Sequence, residues 1–251
     1  MRKYLILLCL FILICGTVVY ARMSLTVIAG ENAGGDLCTD MGASGTYEAW
    51  INGEYAADTD KGCFNSGAAT ADPTSPSAGV AGAAGKINGD NGFLFDAAGE
   101  HIRYIDGAVS QTIDTAGTIQ VTVITPGSYS HEMVFAEIYT DANNNAQIYT
   151  DATGRLYGHH EGGGDSDFVG ACTALTVGTE YTLVYTWNGT EHSVSVDGGS
   201  TWCDNDQDSP TPFAGTVDDI GLGESQYLTN YDGTDGWKVD DVQFREGYEG
   251  D

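Results

Sequence analysis

Arg155, Tyr157 and His159 fall at every second position of RLYGH, the spacing that puts side chains on one face of a β-strand. A phenol and an imidazole on one face can serve as base and acid. A guanidinium beside them can neutralise a carboxylate, so the set has the makings of a polyuronate lyase. Alternation in a β-rich chain also yields such triplets by chance, and a solvated strand is the plainer reading. The next stretch, HHEGGGDSD from His159 to Asp167, combines two imidazoles and three carboxylates with a flexible turn. Its oxygen donors would suit calcium and its nitrogens zinc or nickel. Adjacent His159 and His160 should point to opposite faces of a strand, which argues against one shared ion and favours a polar hairpin tip. Asp232 and Asp235 in NYDGTDGW form a second oxygen-rich turn without the spacing of an EF-hand loop.

The elements that must carry these residues read as all-β. The chain has 251 residues with 35 glycines and 5 prolines. After the N-terminus no stretch shows a helical apolar stripe. Alternating runs mark strands at Gly92–Asp96, His101–Asp106, Thr118–Thr125, Glu132–Tyr139, Ala146–Thr150, Arg155–His160, Phe168–Leu175, Glu180–Trp187, His192–Asp197, Thr216–Leu222 and Trp237–Arg245. Turn clusters such as DANNN, EGGGD, NGT and DGGS separate them. Strand spacing and turns together predict a two-sheet antiparallel β-sandwich. Tyr181, Leu183, Tyr185 and Trp187 share one face and are expected to point inward.

Residues 1–21 are expected to be a secretory signal peptide. Arg2 and Lys3 precede a long apolar run, and Val19-Tyr20-Ala21 suits a signal peptidase. An uncleaved anchor is the alternative. Residues 22–84 are read as an N-terminal segment packing on the sandwich, with Ala69–Gly85 as a loop, and residues 85–251 as the sandwich itself. Export would make the protein secreted and extracellular. It would also leave Cys38, Cys63, Cys172 and Cys203, an even number that implies disulfides. Of three connectivities, Cys38–Cys63 with Cys172–Cys203 closes the most local loops. A four-cysteine zinc site is the competing reading, although no Cys-x-x-Cys pair is present.

The net charge of −27 opposes phosphate backbones and so excludes nucleic acid as a partner. It also makes the surface a poor host for an anionic polysaccharide, and it would attract divalent cations.

Several segments in order carry a resemblance: GKINGDNGFLFDAAGEHIRYID from Gly85 to Asp106, TIQVTVIT, GTEYTLVYTWNGTEHSVSVDGG from Gly178 to Gly199, DDIGLG and WKVDDVQFRE. This series resembles the laminin-G-like members of the concanavalin A-like lectin/glucanase superfamily over roughly residues 85 to 247. Glu180 stands where that family usually has tryptophan. The resemblance implies a jelly-roll sandwich, extracellular use, frequent calcium, and binding of glycans or proteins. By that likeness a structural calcium ion would sit between Asp96 in FLFD and Asp240 in VDDV.

Glucanases of the superfamily carry Glu-x-Asp-x-(x)-Glu on one strand, and this chain has no such run. Glu132 and Glu137, five apart, should face opposite sides of a regular strand. The expectation is therefore a secreted, non-catalytic binding module for a glycan or an extracellular protein. His159, His160, Tyr157 and Trp237 are candidate contacts. A polysaccharide-active enzyme and a self-assembling structural subunit are the alternatives.

Finally, SVDGGSTW from Ser195 to Trp202 fits the Asp-box pattern Ser-x-Asp-x-Gly-x-Thr-Trp and is similar to the repeated hairpins of sialidases. One copy, without a 20- to 50-residue repeat, reads as a folding device. Asp197 should tie the turn backbone, the glycines should take positive φ, and Trp202 should cover the hairpin.

Overall fold

The computed structural model describes residues 47–51, 62–64, 82–87, 90–96, 101–104, 116–141, 143–163, 165–203, 211, 219–223 and 236–249. Among them there is no helix. The strands form two antiparallel sheets.

The first sheet runs in the order β13 (Trp202–Cys203), β12 (His192–Ser195), β11 (Glu180–Trp187), β6 (Gly117–Ile124) and β15 (Trp237–Glu246). Beyond β15 the sheet forks. The first half of β15 pairs with β4 (Asp90–Phe95), which pairs with β3 (Gly82–Ile87). Its second half pairs with β1 (Tyr47–Ile51), which pairs with β2 (Gly62–Phe64). The second sheet runs β10 (Asp165–Ala174), β9 (Arg155–Gly162), β8 (Asn144–Thr150), β7 (Met133–Asp141), β14 (Asp219–Leu222) and β5 (Ile102–Tyr104). Strand β3 begins inside the stretch Ala69–Gly85 that was expected to be a loop.

Period-two alternation fills the space between the sheets. Leu183, Tyr185 and Trp187 of β11 and Ile119, Val121 and Val123 of β6 meet Ile138, Ala146, Ile148 and Leu156 of the opposite sheet in one buried core. Tyr181 packs against its margin as expected. Trp237 stacks on Phe95 with ring centroids 4.3 Å apart and meets Phe135 edge-on at 5.3 Å, so an aromatic cluster joins the sheets.

Two bulges change which face a residue occupies. In β15, Asp240 is opposite Thr122 and Gln243 opposite Gln120, which leaves one extra residue beside Asp241 at φ 48°. Val239 and Val242 are consequently both in the core, while Asp240 lies outside it, against Thr122. A regular strand would put Asp240 on the face of Val242 and Phe244, and the bulge takes it off that face. In β7 the extra residue falls between Val134 and Ala136. Met133 and Ile138 both point inward, so Glu132 and Glu137 turn to the same outer side, contrary to the regular-strand expectation.

The outer face of the first sheet is crossed by the chain's own segment Gly247–Glu249. Thr118 donates to the Gly247 carbonyl at 2.8 Å, and the Glu249 amide donates to Thr186 Oγ1 at 2.9 Å. Tyr248 meets the Ser193 hydroxyl at 3.1 Å, and Glu249 pairs with Arg245 at 2.8 Å.

Candidate binding face on the second sheet

The Asp-box hairpin behaves as a folding device. Ser195 Oγ donates to Asp197 Oδ1 at 2.8 Å and accepts from the Gly199 amide at 2.9 Å, while the Thr201 amide donates to Asp197 Oδ1 at 2.8 Å. Burial works to raise the Asp197 carboxyl, but the hydrogen bonds from Ser195, Thr201 and Ser200 outweigh it and hold the group below its ordinary range. Gly198 and Gly199 have φ of 69° and 85°. A Cβ on Gly199 would come within 3.1 Å of the Trp202 ring, which lies against the turn.

The chemistry sits instead on the outer face of the second sheet. Cross-strand register builds it in rows. Glu137, Gln147, His159 and Phe168 lie side by side on β7, β8, β9 and β10. One pleat along come Tyr139, Asn145, Glu161 and Ser166, with Asp219 of β14 opposite Tyr139. One pleat the other way, Tyr149, Tyr157 and Gly170 are aligned. Burial grades across these rows: Glu137, Gln147, Asn145 and His159 are fully buried, Tyr157 and Phe168 are half-buried, and Ser166 is exposed.

The half-buried rings are held by buried ones. Tyr157 stacks on Tyr149 at 5.4 Å and 22°, and Phe168 stacks on His159 at 4.5 Å and 30°. Gly170 leaves the Tyr157 ring room, since a Cβ there would meet its Cε1 at 3.3 Å. His159 is fixed at both nitrogens, by Gln147 Nε2 at 3.3 Å from Nδ1 and by Ser166 Oγ at 2.9 Å from Nε2. Burial first, and then the nearby His192, hold its pKa down at about 3, so the ring is neutral. With the Gln147 amide donating to Nδ1, the Nε2–H donates to Ser166, and the serine hydroxyl proton is left to point elsewhere. An imidazole that donates to a serine is no base for it. Glu161 is raised chiefly by burial and also by Asp141, against the lowering hydrogen bond from Asn145.

Several candidates from the sequence are placed differently from one another. His160 points inward, its ring 5.7 Å from that of Trp187, and burial with the neighbouring histidines holds its pKa at about 3. The opposite orientation of the two histidines follows the strand rule. Trp237 is buried between the sheets and offers no face to a ligand. Arg155 is exposed at the far end of β9. Four residues of strand separate it from His159, about 13 Å, so Arg155, Tyr157 and His159 share a strand but do not gather round one uronate.

Asp96 falls beyond the Phe95–Trp237 pair, four positions along the ladder from the residue opposite Asp240. That spacing is about 13 Å and holds the two carboxylates too far apart for one calcium ion. Among the described residues no group of three His, Cys, Asp or Glu side chains is placed to hold a metal. Asp232 and Asp235, residues 1–21 and Cys38 lie outside the described residues, as do the side chains of Cys63 and Cys172. Cys203 is disulfide-bonded, and its strand β13 packs against β10, which carries Cys172. No helix among the described residues is long and apolar enough to cross a membrane.

The sequence missed Gln147, Tyr149, Ser166 and Phe168. Each lies on a strand whose alternation was visible, but only the register between strands makes them neighbours.

No protein-family model and no curated protein sequence matches the chain. The laminin-G-like resemblance therefore rests on the motifs quoted above. The fold itself recurs among solved structures. A Trypanosoma rangeli sialidase in complex with 2,3-difluorosialic acid aligns at 12% identity and TM-score 0.56, over 81% of this chain and 31% of that one. The botulinum neurotoxin serotype D binding domain aligns at 9% identity and TM-score 0.55, over 81% of this chain and 49% of that one. The protein has the β-sandwich fold that these structures contain. It spans about a third of the sialidase and half of the toxin domain.

Proposed function

We propose that the chain is a non-catalytic extracellular binding module for glycans, with the outer face of the second sheet as its ligand surface. The observation that carries this reading is the pair Tyr157 and Phe168, each partly open to solvent and each locked in orientation by a buried ring behind it. Rings held flat before a ligand arrives spend no ordering entropy on binding, and their apolar faces suit the C–H face of a sugar. Ser166 at the margin supplies a hydroxyl for the sugar's own hydroxyls.

The placement of the carboxylates supports binding over hydrolysis. Glu137 and Glu161 are two strands and one pleat apart, about 12 Å at the backbone, and Glu132 lies more than two pleats from Glu137. Neither pair has the close spacing of a retaining pair, about 5 Å between carboxyls. One protein of this fold is named a binding domain and another is described in complex with sialic acid, which supports a carbohydrate-directed use of the fold.

A glycan array run with calcium and again with chelator tests the proposal. Binding that Tyr157→Ala weakens about tenfold supports it, and calcium dependence would add the structural ion that the acidic composition invites. Absence of binding to every glycan in both conditions would overturn it.

A further inference from the structure

We propose that Asn188 is an acceptor for an N-linked glycan, added as the chain enters a secretory compartment. The inference rests on the extracellular part of the reading above and is independent of which ligand the second sheet takes.

The sequence supplies the motif once. Asn188-Gly189-Thr190 is the only place in the chain where an asparagine is followed, two positions on, by serine or threonine. Enzymes that glycosylate asparagine need a hydroxyl residue at that position and a residue other than proline between. The same three residues also suit a plain turn, so their placement has to separate an acceptor from a turn.

The triplet forms the tip of the β11–β12 hairpin. Trp187 pairs with His192, and residues 188–191 make the loop between them, closed by the Asn188 amide donating to the Glu191 carbonyl at 2.9 Å. Gly189 and Thr190 are exposed, and a Cβ on Gly189 would meet nothing within 4 Å. A branched sugar chain therefore has open space at the tip.

The two ends of the half-buried Asn188 amide do different work. Oδ1 accepts from the Thr190 amide at 2.7 Å, the Thr190 hydroxyl at 2.7 Å and the Glu191 amide at 3.0 Å. Two main-chain donors can be met only by an oxygen, which fixes which end of the side chain is which. Nδ2 is left facing the Glu191 carboxylate at 3.4 Å, a contact that needs one of its two hydrogens. Replacing the other hydrogen by a sugar keeps every bond of the turn. In the transfer, Nδ2 bonds to the anomeric carbon of an oligosaccharide carried on a lipid diphosphate. The bond from that carbon to the diphosphate oxygen breaks, its electron pair leaves on the diphosphate, and Nδ2 gives up one proton. The tip belongs to the first sheet, whereas Tyr157 and Phe168 lie on the outer face of the second, so a carried glycan and a bound one use different parts of the fold.

Translation of the full chain with microsomes that hold the transferase and its lipid-linked donor tests the site. The expected product is protected from added protease, migrates as a chain one glycan larger, and loses that shift on treatment with endoglycosidase H. Asn188→Asp keeps an acceptor for all three bonds of the turn and should lose the shift. Thr190→Ser should keep it and Thr190→Ala should lose it. A protected chain without the shift overturns the proposal and leaves export intact. An unprotected chain overturns export, and with it both the acceptor site and the extracellular reading. A shift that survives Asn188→Asp puts the sugar on another side chain and overturns the assignment.

Discussion

Strands β8 and β9 present two faces one residue out of step, and the two faces do opposite things. Inward, Ile148, Gly158 and His160 close against the aromatic side chains of β11. Outward, Tyr149, Tyr157 and His159 build a graded surface from full burial to half exposure. The inner face is packed by shape: Gly158 is glycine because any Cβ would collide with the Tyr185 ring. The outer face is fixed by stacking and hydrogen bonds, and its outermost rings stop short of burial. A one-residue slip would exchange the sets, so the core that pins the register also aims the ligand face. The largest expected effects are therefore on stability through the inner face, and the smaller ones on binding through the outer.

The broadest effect is on acid stability. His159 and His160 each have a folded pKa near 3, against 6.5 in the unfolded chain. As pH falls below about 6.5 the unfolded chain takes up protons that the folded chain refuses. Stability is thus full above that pH and is lost progressively toward pH 3. Each histidine contributes a slope of up to about 1.4 kcal/mol per pH unit. Urea unfolding from pH 7 to 4 measures the slope, and His160→Leu and His159→Gln should each remove one proton's share. Equal shares would mean that the outer histidine is as dry as the inner one. A share missing only from His159→Gln would mean that the outer face is wet, and the comparison between the faces would need redrawing.

Gly158→Ala comes next. Tyr185 cannot yield, because its ring stacks on Trp187 at 5.3 Å and its hydroxyl meets His192 Nδ1 at 3.3 Å. Overpacking here should cost about 3 kcal/mol in the same unfolding experiment at pH 7. On the outer face, Tyr157→Ala should leave the unfolding midpoint nearly unchanged and weaken glycan binding about tenfold, the equivalent of one lost aromatic contact. If Tyr157→Ala unfolds the protein instead, the outer ring belongs to the core and the division of labour fails.

Much of this architecture was legible in the chain. Alternation in Glu180–Trp187 announced the inward row of Leu183, Tyr185 and Trp187, and the adjacency of His159 and His160 announced their opposite orientations. The Asp-box residues foretold their own turn, because Ser195, Asp197 and Gly198 act within a few positions of one another. What stayed hidden depended on other strands or on a break in period. The bulge at Asp241 moved Asp240 out of the core, and the one between Val134 and Ala136 brought Glu132 round to the side of Glu137. Neither is marked by a glycine or proline. The stacking of Phe168 on His159 needs the β9–β10 register, which no local pattern encodes.

Ser166 gives the smallest and most discriminating test of the outer face. Its Oγ is 2.9 Å from His159 Nε2, and the side chain is exposed, so its removal leaves no buried donor in water-free surroundings except the imidazole N–H. If the hydroxyl only props the ring, Ser166→Ala should cost stability by about 1 kcal/mol and leave affinity unchanged. If instead its proton points outward to the ligand, as the Gln147-fixed tautomer dictates, affinity should fall a few-fold with a change of similar size in binding enthalpy. Titration calorimetry on Ser166→Ala, set beside Ser166→Thr, separates the two. Threonine keeps the hydroxyl and should restore affinity, whereas a loss shared by both variants would trace the effect to crowding at the strand edge.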